Sequence, residues 1–330
     1  MSDRLLFGGI VAAVTAAALW VQAGTPAALV ALPERPDLGW GDSRVRIESS
    51  VYPRYATGAD QVRVRIDRPP RRIVSQFWSI DEFLYAIVPP ERIVAVSESA
   101  YSQASSNLLD LLGLIRPVVS SNPETVLRTN PDLVLTGESA RWEITGVLRQ
   151  AGLPVYRMFT SFDSLRSITD HMRLVGYLTG EDARAEAAIA EFQQTIARAE
   201  GRRPPPGARP RVLGMSGSYS YGARTLFDDV LRVLGAENIA ATHGLVGYSR
   251  ATDEHIVRWN PDWIVAGAPR GAVEATRQSL LGRPAVAATS AARAGRIIVI
   301  SDDVFLPMSP FTARLVERLG QELYGADDAR

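Results

Sequence analysis

The sequence contains no cysteine and no lysine, so several kinds of chemistry are excluded at once. Without cysteine there is no disulfide, thiolate metal site, iron–sulfur cluster or lipid-bearing cysteine. Without lysine there is no P-loop lysine, Schiff-base lysine or Ser-x-x-Lys nucleophile. All 36 basic residues are arginine and are balanced by 36 acidic residues, so no basic field favours nucleic acid.

Histidine is scarce as well, and its three positions do not indicate an enzyme. His171 lies in a helical stretch, His255 lies in a repeated segment, and His243 lies in a loop where it could ligate a metal or haem. No histidine or carboxylate pair has zinc-site spacing, so no catalytic residue, resident metal or cofactor is predicted. The alternative from another class is an exported α/β hydrolase, because residues 214–218 around Ser216 resemble a nucleophile elbow without its final glycine.

The first 44 residues indicate export. A long apolar run follows Arg4, and small residues around Ala23 suit cleavage, so residues 1–23 are predicted to be a signal peptide. The run is almost long enough to span a bilayer, which leaves an uncleaved anchor helix as the alternative. Residues 24–44 are rich in alanine, proline and glycine and are predicted to be a linker. In either case the rest of the chain is expected to work in the periplasm.

Strand-like segments occur in two parts of the chain after the linker. Residues 45–48 and 62–66 alternate apolar and charged residues around a turn at residues 58–60, which predicts a small hairpin. From residue 73 onward, short apolar runs alternate with helical stretches, which is typical of parallel α/β units. These runs lie at residues 73–74, 93–96, 133–135, 155–156, 212–213, 263–266 and 297–300.

The apolar runs form two groups. Between them, residues 164–201 have only helical periodicity and include a predicted helix at residues 181–200, about 30 Å long. This pattern predicts an α/β fold of two Rossmann-like lobes, at residues 45–163 and 202–330, joined by a single long α-helix. The alternative is one large sheet with an ordinary crossover helix.

A duplicated segment is the strongest feature of the sequence. Residues 124–134 and 254–264 share Glu, Arg, Asn, Pro and Asp at the same offsets, 130 positions apart. In each copy a capping residue precedes about two turns of helix, and Asn-Pro-Asp ends that helix before a strand. Each predicted lobe therefore carries the same helix–turn–strand unit, with Glu124 or Glu254 at the exposed start of the helix.

These motifs resemble the class III periplasmic binding proteins, the family that carries iron–siderophore complexes and cobalamin. The resemblance covers about residues 50–324. Besides the two Asn-Pro-Asp units, the matching motifs are Tyr52-Pro53-Arg54, residues 70–75, 91–95 and 152–155, and Ser309-Pro310-Phe311. The resemblance implies a ligand cleft between the two lobes and delivery of the ligand to an ABC importer.

The resemblance also implies a role for the paired glutamates. In this family one glutamate on each lobe pairs with arginines of the permease dimer, which here assigns docking to Glu124 and Glu254. The alternative is that each glutamate only complements its helix dipole, at about 0.3–1 kcal/mol. Delivery of the ligand to a sensor or another partner instead of an importer is a further alternative.

Ligands of open parallel sheets bind beyond the carboxyl ends of the strands, so residues that follow the apolar runs are ligand candidates. They are rich in aromatic side chains, which can stack on flat or catecholate-bearing ligands, and they include two arginines, which suit anionic chelates. The predicted ligand residues are Phe77, Trp78, Tyr101, Arg141, Trp142 and Phe159 in the first lobe, and Tyr219, Tyr221, Tyr248, Arg270 and Phe305 in the second.

A ferric siderophore is the first choice of ligand, because Arg141 and Arg270 could neutralise its charge. Cobalamin comes next. Haem is less favoured because few axial ligands are available, and a bare oxyanion such as molybdate is the last candidate. A helical connector resists hinge bending, so only modest motion of the lobes is expected.

Overall fold

The computed structural model describes residues 46–47, 51–110, 116–118, 122–203 and 209–325. The predicted signal peptide or anchor at residues 1–23 and the linker at residues 24–44 lie outside these ranges. Among the described helices, none is both long and apolar enough to cross a membrane.

A small antiparallel sheet comes first along the chain. Its strands, in spatial order, are β1 (Arg46–Ile47), β2 (Arg54–Thr57) and β3 (Arg63–Ile66). The predicted hairpin is wrong in one strand, because β3 pairs with β2 and not with residues 45–48. A tight turn explains this pairing, since the Gly58 amide donates to the Val62 carbonyl at 3.0 Å and returns the chain onto the strand just before it.

The first lobe is built on a parallel five-stranded sheet in the order β6-β5-β4-β7-β8. Its strands are β4 (Ile73–Ser75), β5 (Ile93–Ser97), β6 (Arg116–Val118), β7 (Leu133–Gly137) and β8 (Val155–Met158). Its helices are α1 (Trp78–Ile87), α2 (Pro123–Arg128) and α3 (Trp142–Gln150). Four strands coincide with predicted apolar runs, as expected for strands buried on both faces. The exception is β6, an edge strand of arginine, proline and valine, which contains no apolar run.

Two helices, α4 (Leu165–Thr179) and α5 (Asp182–Glu200), follow the first sheet. Gly180 joins them in the left-handed conformation, with a φ angle of 77°. At Gly176 the two helices are so close that an added Cβ atom would lie 2.5 Å from the Cβ atom of Ala185. These two glycines let the chain fold α5 back along α4.

The helix α5 contacts both lobes and is the predicted connector. Near its start, the Arg184 guanidinium donates to the Ile87 carbonyl of α1 at 2.7 Å. Near its end, Ala199 packs against Gly320 in the last helix of the second lobe, and a Cβ atom on that glycine would lie 3.5 Å from Ala199. The 19 residues of α5 span about 28 Å, so the prediction of two lobes joined by one long helix is confirmed.

The second lobe contains a six-stranded sheet with the path β12-β10-β9-β13-β14, and β11 pairs with the start of β9. Its strands are β9 (Arg211–Ser216), β10 (Tyr219–Tyr221), β11 (Glu237–Asn238), β12 (Tyr248–Arg250), β13 (Trp263–Ala268) and β14 (Ile297–Ser301). Its helices are α6 (Leu226–Val233), α7 (Ile239–Thr242), α8 (Asp253–Trp259), α9 (Val273–Leu281), α10 (Pro284–Ala287), α11 (Ser290–Arg293), α12 (Asp302–Phe305) and α13 (Thr312–Tyr324). Each lobe has its own sheet, so the alternative of one continuous sheet is wrong.

The residues that follow β9 form a further strand. Gly217, at a φ angle of 59°, and Ser218 turn the chain so that β10 runs antiparallel to β9. Strand β12 then pairs with β10, with Tyr221 directly opposite Tyr248. A short serine–tyrosine pattern contains no apolar run, which explains why β10 was not predicted as a strand.

The duplicated segment has the same structure in both lobes. The asparagine of each copy ends its helix in the left-handed conformation, with φ angles of 49° and 43°. The aspartate two residues later accepts a backbone amide at the start of the neighbouring strand: Asp132 accepts that of Arg72 at 2.8 Å, and Asp262 accepts that of Arg211 at 3.0 Å. Each of these arginines also donates its guanidinium to a carbonyl at the end of the helix in the duplicated segment: Arg72 to that of Thr129 and Arg211 to that of Trp259. The motif therefore joins one helix end to two adjacent strands.

Candidate ligand cleft and docking surface

The carboxyl ends of the two sheets meet at a junction between the lobes. Arg270 follows β13, and its backbone amide donates to the Ala104 carbonyl at 2.9 Å. Its guanidinium donates to the Ser106 carbonyl at 3.1 Å, in the segment that follows β5. Ligands of parallel sheets bind beyond such strand ends, so the candidate cleft lies at this junction.

Four aromatic residues of the second lobe form a cluster, here called the tyrosine cluster: Tyr219 and Tyr221 of β10, Tyr248 of β12, and Phe305 of α12. Tyr219 and Tyr248 are stacked, with 5.0 Å between ring centroids and 11° between ring planes. Tyr221 lies 5.2 Å from Tyr248 and meets Phe305 edge-on at 5.6 Å. The fold therefore brings four of the predicted ligand residues together. The three tyrosines are half-buried, whereas Phe305 is only 6% exposed and belongs to the hydrophobic core.

Close packing holds the tyrosine cluster in place. Gly267 on β13 leaves room for Phe305, because a Cβ atom on that glycine would lie 2.5 Å from the phenylalanine ring. Phe227 of α6 supports Tyr221, with 5.4 Å between their ring centroids. Phe227 was not predicted as a site residue, since it has the spacing of an ordinary core residue on an amphipathic helix.

Two acidic residues begin α12 beside the tyrosine cluster, and neither was predicted as a ligand residue. Burial and the neighbouring Asp303 raise the pKa of Asp302 to about 6. Burial also acts to raise the pKa of Asp303, but hydrogen bonds from Arg270 and Ser301 lower it overall. The Arg270 guanidinium lies 3.0 Å from the Asp303 carboxylate, so the charge of this predicted ligand residue is already paired.

Two phenol groups of the cluster, those of Tyr221 and Tyr248, are held in their neutral form. Burial raises the pKa of Tyr221 and of Tyr248 above the ordinary value of 10, and neighbouring tyrosines add to the effect. The Tyr248 hydroxyl donates to the Ser216 carbonyl at 3.4 Å. Neutral phenols offer rings for stacking and hydroxyls for hydrogen bonding, whereas coordination of a metal ion favours a phenolate.

The first lobe contributes a smaller pair of rings at the start of α1, here called the aromatic wall: Phe77 and Trp78. Their centroids are 6.0 Å apart, with 34° between the ring planes. Gly137 at the end of β7 makes room for Phe77, because a Cβ atom there would lie 2.9 Å from the ring. Glu138 follows, and its carboxylate accepts the Ser161 hydroxyl at 2.8 Å.

A buried carboxyl group fixes the aromatic wall. Asp81 of α1 has no solvent exposure, and it accepts hydrogen bonds from the amide of Ser97, at 3.1 Å, and from its hydroxyl. Burial raises the pKa of Asp81 to about 7, although hydrogen bonds from Ser75 and Ser97 act to lower it. Because Ser97 ends β5, these bonds tie the start of α1 to the carboxyl edge of the sheet.

We expect the free energy of unfolding to fall as the pH rises from about 4 to about 7, and we expect much of this fall to depend on Asp81. Its pKa is 3.8 in an unperturbed chain and about 7 in the fold, so the folded state binds more protons in this window. The shift corresponds to roughly 4 kcal/mol, at about 1.4 kcal/mol per unit. In urea denaturation at pH 5 and pH 8, Asp81→Asn should lose much of the decline in unfolding free energy, whereas the exposed Asp67→Asn should keep it. An undiminished decline in Asp81→Asn would contradict this expectation.

Four other predicted ligand residues of the first lobe belong to neither the aromatic wall nor the tyrosine cluster. Trp142 is 72% exposed and Tyr101 is 37% exposed. Arg141 is exposed and forms a loose ion pair with Glu143 at 3.7 Å. Phe159 is half-buried just after β8. No described contact joins Arg141 or Trp142 to the tyrosine cluster, and a role for these four residues in ligand binding stays a prediction.

Glu124 and Glu254 occupy matching exposed positions at the starts of α2 and α8. Each of these helices precedes a parallel strand and runs opposite to it, so its start lies at the carboxyl edge where the cleft opens. Asn122 caps α2 by accepting the Glu124 amide at 2.9 Å, and Thr252 caps α8 by accepting the His255 amide at 3.4 Å. Hydrogen bonds, first of all from Thr252, lower the pKa of Glu254, which keeps this exposed carboxylate charged.

The three histidines are engaged elsewhere in the fold. His171 is fully buried in α4, with its Nδ1 atom 2.8 Å from a carbonyl oxygen of the same helix. His255 stacks on Trp259 with 4.8 Å between centroids, and His243 lies 5.3 Å from the same ring. Within the described ranges, no group of three histidine or acidic residues is arranged to hold a metal ion. These positions give no support to the hydrolase alternative, which needs a histidine beside Ser216.

The sequence and the fold are similar to those of known binding proteins. The family model described as periplasmic binding protein matches residues 73–304. A cobalamin-binding protein of Halobacterium salinarum is 27% identical over 281 residues, which cover 82% of this chain and 73% of the relative. An uncharacterized ABC transporter substrate-binding lipoprotein of Bacillus subtilis is 25% identical, over 86% of this chain and 89% of the relative. The periplasmic heme-binding protein RhuT from Roseiflexus sp. RS-1 aligns with a TM-score of 0.66 at 26% identity, over 78% of this chain and 98% of that one.

Proposed function

Because this chain belongs to the periplasmic binding protein family and is a substrate-binding protein of an ABC importer, we propose that its substrate is cobalamin or a closely related corrinoid. We place the ligand between the lobes, with its ring system against the tyrosine cluster and the aromatic wall. The cobalamin-binding relative from Halobacterium salinarum supports this choice, since the similarity extends over most of both chains.

The observation that carries the proposal is the pairing of Arg270 with Asp303 at 3.0 Å. An anionic chelate needs cationic side chains that are free to meet its charge. Here the guanidinium already has a carboxylate partner, while Asp302 and Glu138 add further acceptors near the strand ends. Cobalamin suits such a surface, because its ring bears carboxamide groups whose N–H bonds can be donated to carboxylates and phenol oxygens.

A ferric siderophore, the first choice from the sequence, is a weaker match to this surface. That choice depended on two free arginines, and Arg270 is paired while the Arg141 side chain is exposed in an ion pair with Glu143. Haem is also a weaker match, because it brings two anionic propionates and an iron that takes an axial ligand. Burial opposes the phenolate form of Tyr221 and Tyr248, which such an iron would favour.

Docking to the importer is the second part of the proposal. Glu124 and Glu254 present one exposed carboxylate on each lobe, at the edge where the cleft opens. Two separated carboxylates suit a dimeric permease that offers arginines on each subunit, since charge complementarity sets orientation and speeds encounter. Such a protein works outside the cytoplasm, and we therefore also propose residues 1–23 as the export signal or membrane anchor.

Isothermal titration calorimetry with cyanocobalamin, haemin, a ferric catecholate siderophore and molybdate tests the choice of ligand. We expect cyanocobalamin to bind with a Kd at or below about 1 µM, or about −8 kcal/mol, and the other three to bind at least about 100-fold more weakly. Preferential binding of haemin or of the siderophore would refute the corrinoid proposal.

A matched variant tests the charge argument separately. Asp303→Asn removes the carboxylate partner of Arg270 and leaves its guanidinium free to meet an anion. The ratio of the Kd for the siderophore to the Kd for cyanocobalamin should therefore be smaller in this variant than in the unmodified protein. An unchanged preference would mean that the ion pair does not determine the class of ligand.

A further inference from the structure

We propose that Asn107 is a positioning residue that couples the two lobes and fixes the width of the ligand cleft. It lies in residues 102–107, here called the strap, which follow β5 in the first lobe and reach the second lobe. The coupling does not depend on which ligand the cleft binds, so it goes beyond the proposed function.

The strap is fixed to the first lobe by its own contacts. The Ser106 hydroxyl donates to the Ala100 carbonyl at 2.6 Å. Within the strap itself, Ser102 and Ser105 share a hydrogen bond between their hydroxyls at 3.0 Å. Leu108, the next residue after the strap, is buried in the hydrophobic core. The strap therefore moves with the first lobe.

Three hydrogen bonds then join the strap to the second lobe. Arg270 donates its backbone amide to Ala104 at 2.9 Å and its guanidinium to the Ser106 carbonyl at 3.1 Å. Arg314 of α13 donates its guanidinium to the Oδ1 atom of Asn107 at 2.9 Å. A charged donor makes the bond from Arg314 stronger than a bond between neutral groups.

The other half of the Asn107 amide binds a buried carboxyl group of the first lobe. Its Nδ2 atom donates to the Oε1 atom of Glu82 in α1 at 2.7 Å, and Glu82 is only 4% exposed. Burial raises the pKa of Glu82 to about 7, while Ser309, Asn107 and the charge of Arg314 act to lower it. One side chain thus connects α1 of the first lobe to α13 of the second.

The position of Asn107 separates lobe coupling from ligand contact. The helix α5 provides one stiff connection between the lobes, and the strap provides another, through one backbone hydrogen bond and two hydrogen bonds from arginine side chains. Arg270 binds the strap but also pairs with Asp303 beside the tyrosine cluster. Its substitution would therefore alter both the coupling of the lobes and the surroundings of the ligand. Asn107 and Arg314 belong to neither the cluster nor the aromatic wall, which makes them the residues to test.

Pulsed electron spin resonance measures this coupling without any ligand. The chain has no cysteine, so Val147→Cys and Val257→Cys, at exposed sites of α3 and α8, place one spin label on each lobe. In this background Asn107→Ala, and separately the exposed Arg314→Ala, should broaden the distribution of distances between the labels at least about twofold. Gln103→Ala, at an exposed position within the strap, should keep the original width. Equal widths in all of these proteins would overturn the proposal.

Release of cyanocobalamin gives a second readout, and this one rests on the proposed function. Its dissociation from Asn107→Ala should be about tenfold faster than from the unmodified protein, which corresponds to about 1.4 kcal/mol. An unchanged dissociation rate despite a broadened distribution would overturn the claim that the strap fixes the width of the cleft. If cyanocobalamin does not bind at all, the corrinoid proposal fails and the spin-label distances alone decide the role of Asn107.

Discussion

Uptake through the importer should fall by at least about tenfold when Glu124 and Glu254 are both replaced by arginine, while ligand affinity stays within about twofold. In the proposed docking mode each substitution would place a positive charge against a permease arginine, and breaking a close interfacial charge pair costs roughly 2–5 kcal/mol. Affinity is spared because both glutamates are exposed at helix starts, apart from the tyrosine cluster and the aromatic wall. The measurement is uptake of labelled cyanocobalamin into vesicles that contain the importer, with calorimetry of binding in parallel.

Replacement of both Glu91 and Glu191 by arginine is the control for this experiment. Both residues are exposed, Glu91 just before β5 and Glu191 on α5, so both lie away from the carboxyl edges of the sheets. The control has the same net charge as the docking variant and should support uptake at the original rate. Equal loss of uptake in both variants would show that net charge governs delivery and would remove the docking role of the paired glutamates.

Replacement of Tyr248 by alanine should weaken cyanocobalamin binding by about 30-fold or more. Tyr248 is the centre of the tyrosine cluster, 5.0 Å from Tyr219 and 5.2 Å from Tyr221. Aromatic anchors that become buried against a ligand contribute about 2 kcal/mol or more to binding, and their loss also frees the neighbouring rings. Tyr248→Phe keeps the ring and removes only the hydroxyl bond to Ser216, so it should cost no more than about fivefold.

Tyr55 supplies a matched tyrosine outside the cleft. Its ring lies 3.9 Å from the Arg63 guanidinium in the small antiparallel sheet. Tyr55→Ala should therefore retain the original affinity in calorimetry, even where it lowers the Tm. Undiminished binding by Tyr248→Ala, or an equal loss in Tyr55→Ala, would contradict the assignment of the tyrosine cluster to the ligand.

The fold is predictable from sequence where the same local chemistry occurs in both lobes. Asp132 and Asp262 each accept a backbone amide from the adjacent strand, so the Asn-Pro-Asp motif encodes strand pairing as well as a helix end. Parallel strands covered on both faces also appear as apolar runs, which mark the central strands of both sheets. Two copies of one motif within two groups of such runs were sufficient to predict two lobes.

The edge strands could not be predicted from the sequence, because their pairing depends on tertiary contacts. Strands β10 and β12 have only three residues each, built from tyrosine, serine and arginine. Their alignment depends on the turn at Gly217 and on the pairing of Tyr221 with Tyr248, which no local pattern encodes. Strand β6 contains a proline, which ordinarily argues against a strand and is tolerated here at the edge of the sheet.

In the candidate site, position along the sequence predicts which aromatic residues come together better than it predicts which charged residues pair. The carboxyl ends of parallel strands converge, so residues after the apolar runs could be selected by place alone, and four of the selected residues form the tyrosine cluster. The same rule selected Trp142, which the fold leaves 72% exposed. The partner of Arg270 could not be predicted, because its bond to Asp303 depends on how two separate strand-end segments lie in space.

Hydrogen–deuterium exchange with and without cyanocobalamin tests most directly whether one ligand is held between the two lobes at the carboxyl ends of their strands. We expect slower exchange in both lobes at once, at residues 76–78 and 137–140 in the first and at residues 216–221 and 302–305 in the second. Exchange along α4 and α5 should not change. Protection confined to one lobe, or centred on α4 and α5, would contradict a ligand held between the lobes.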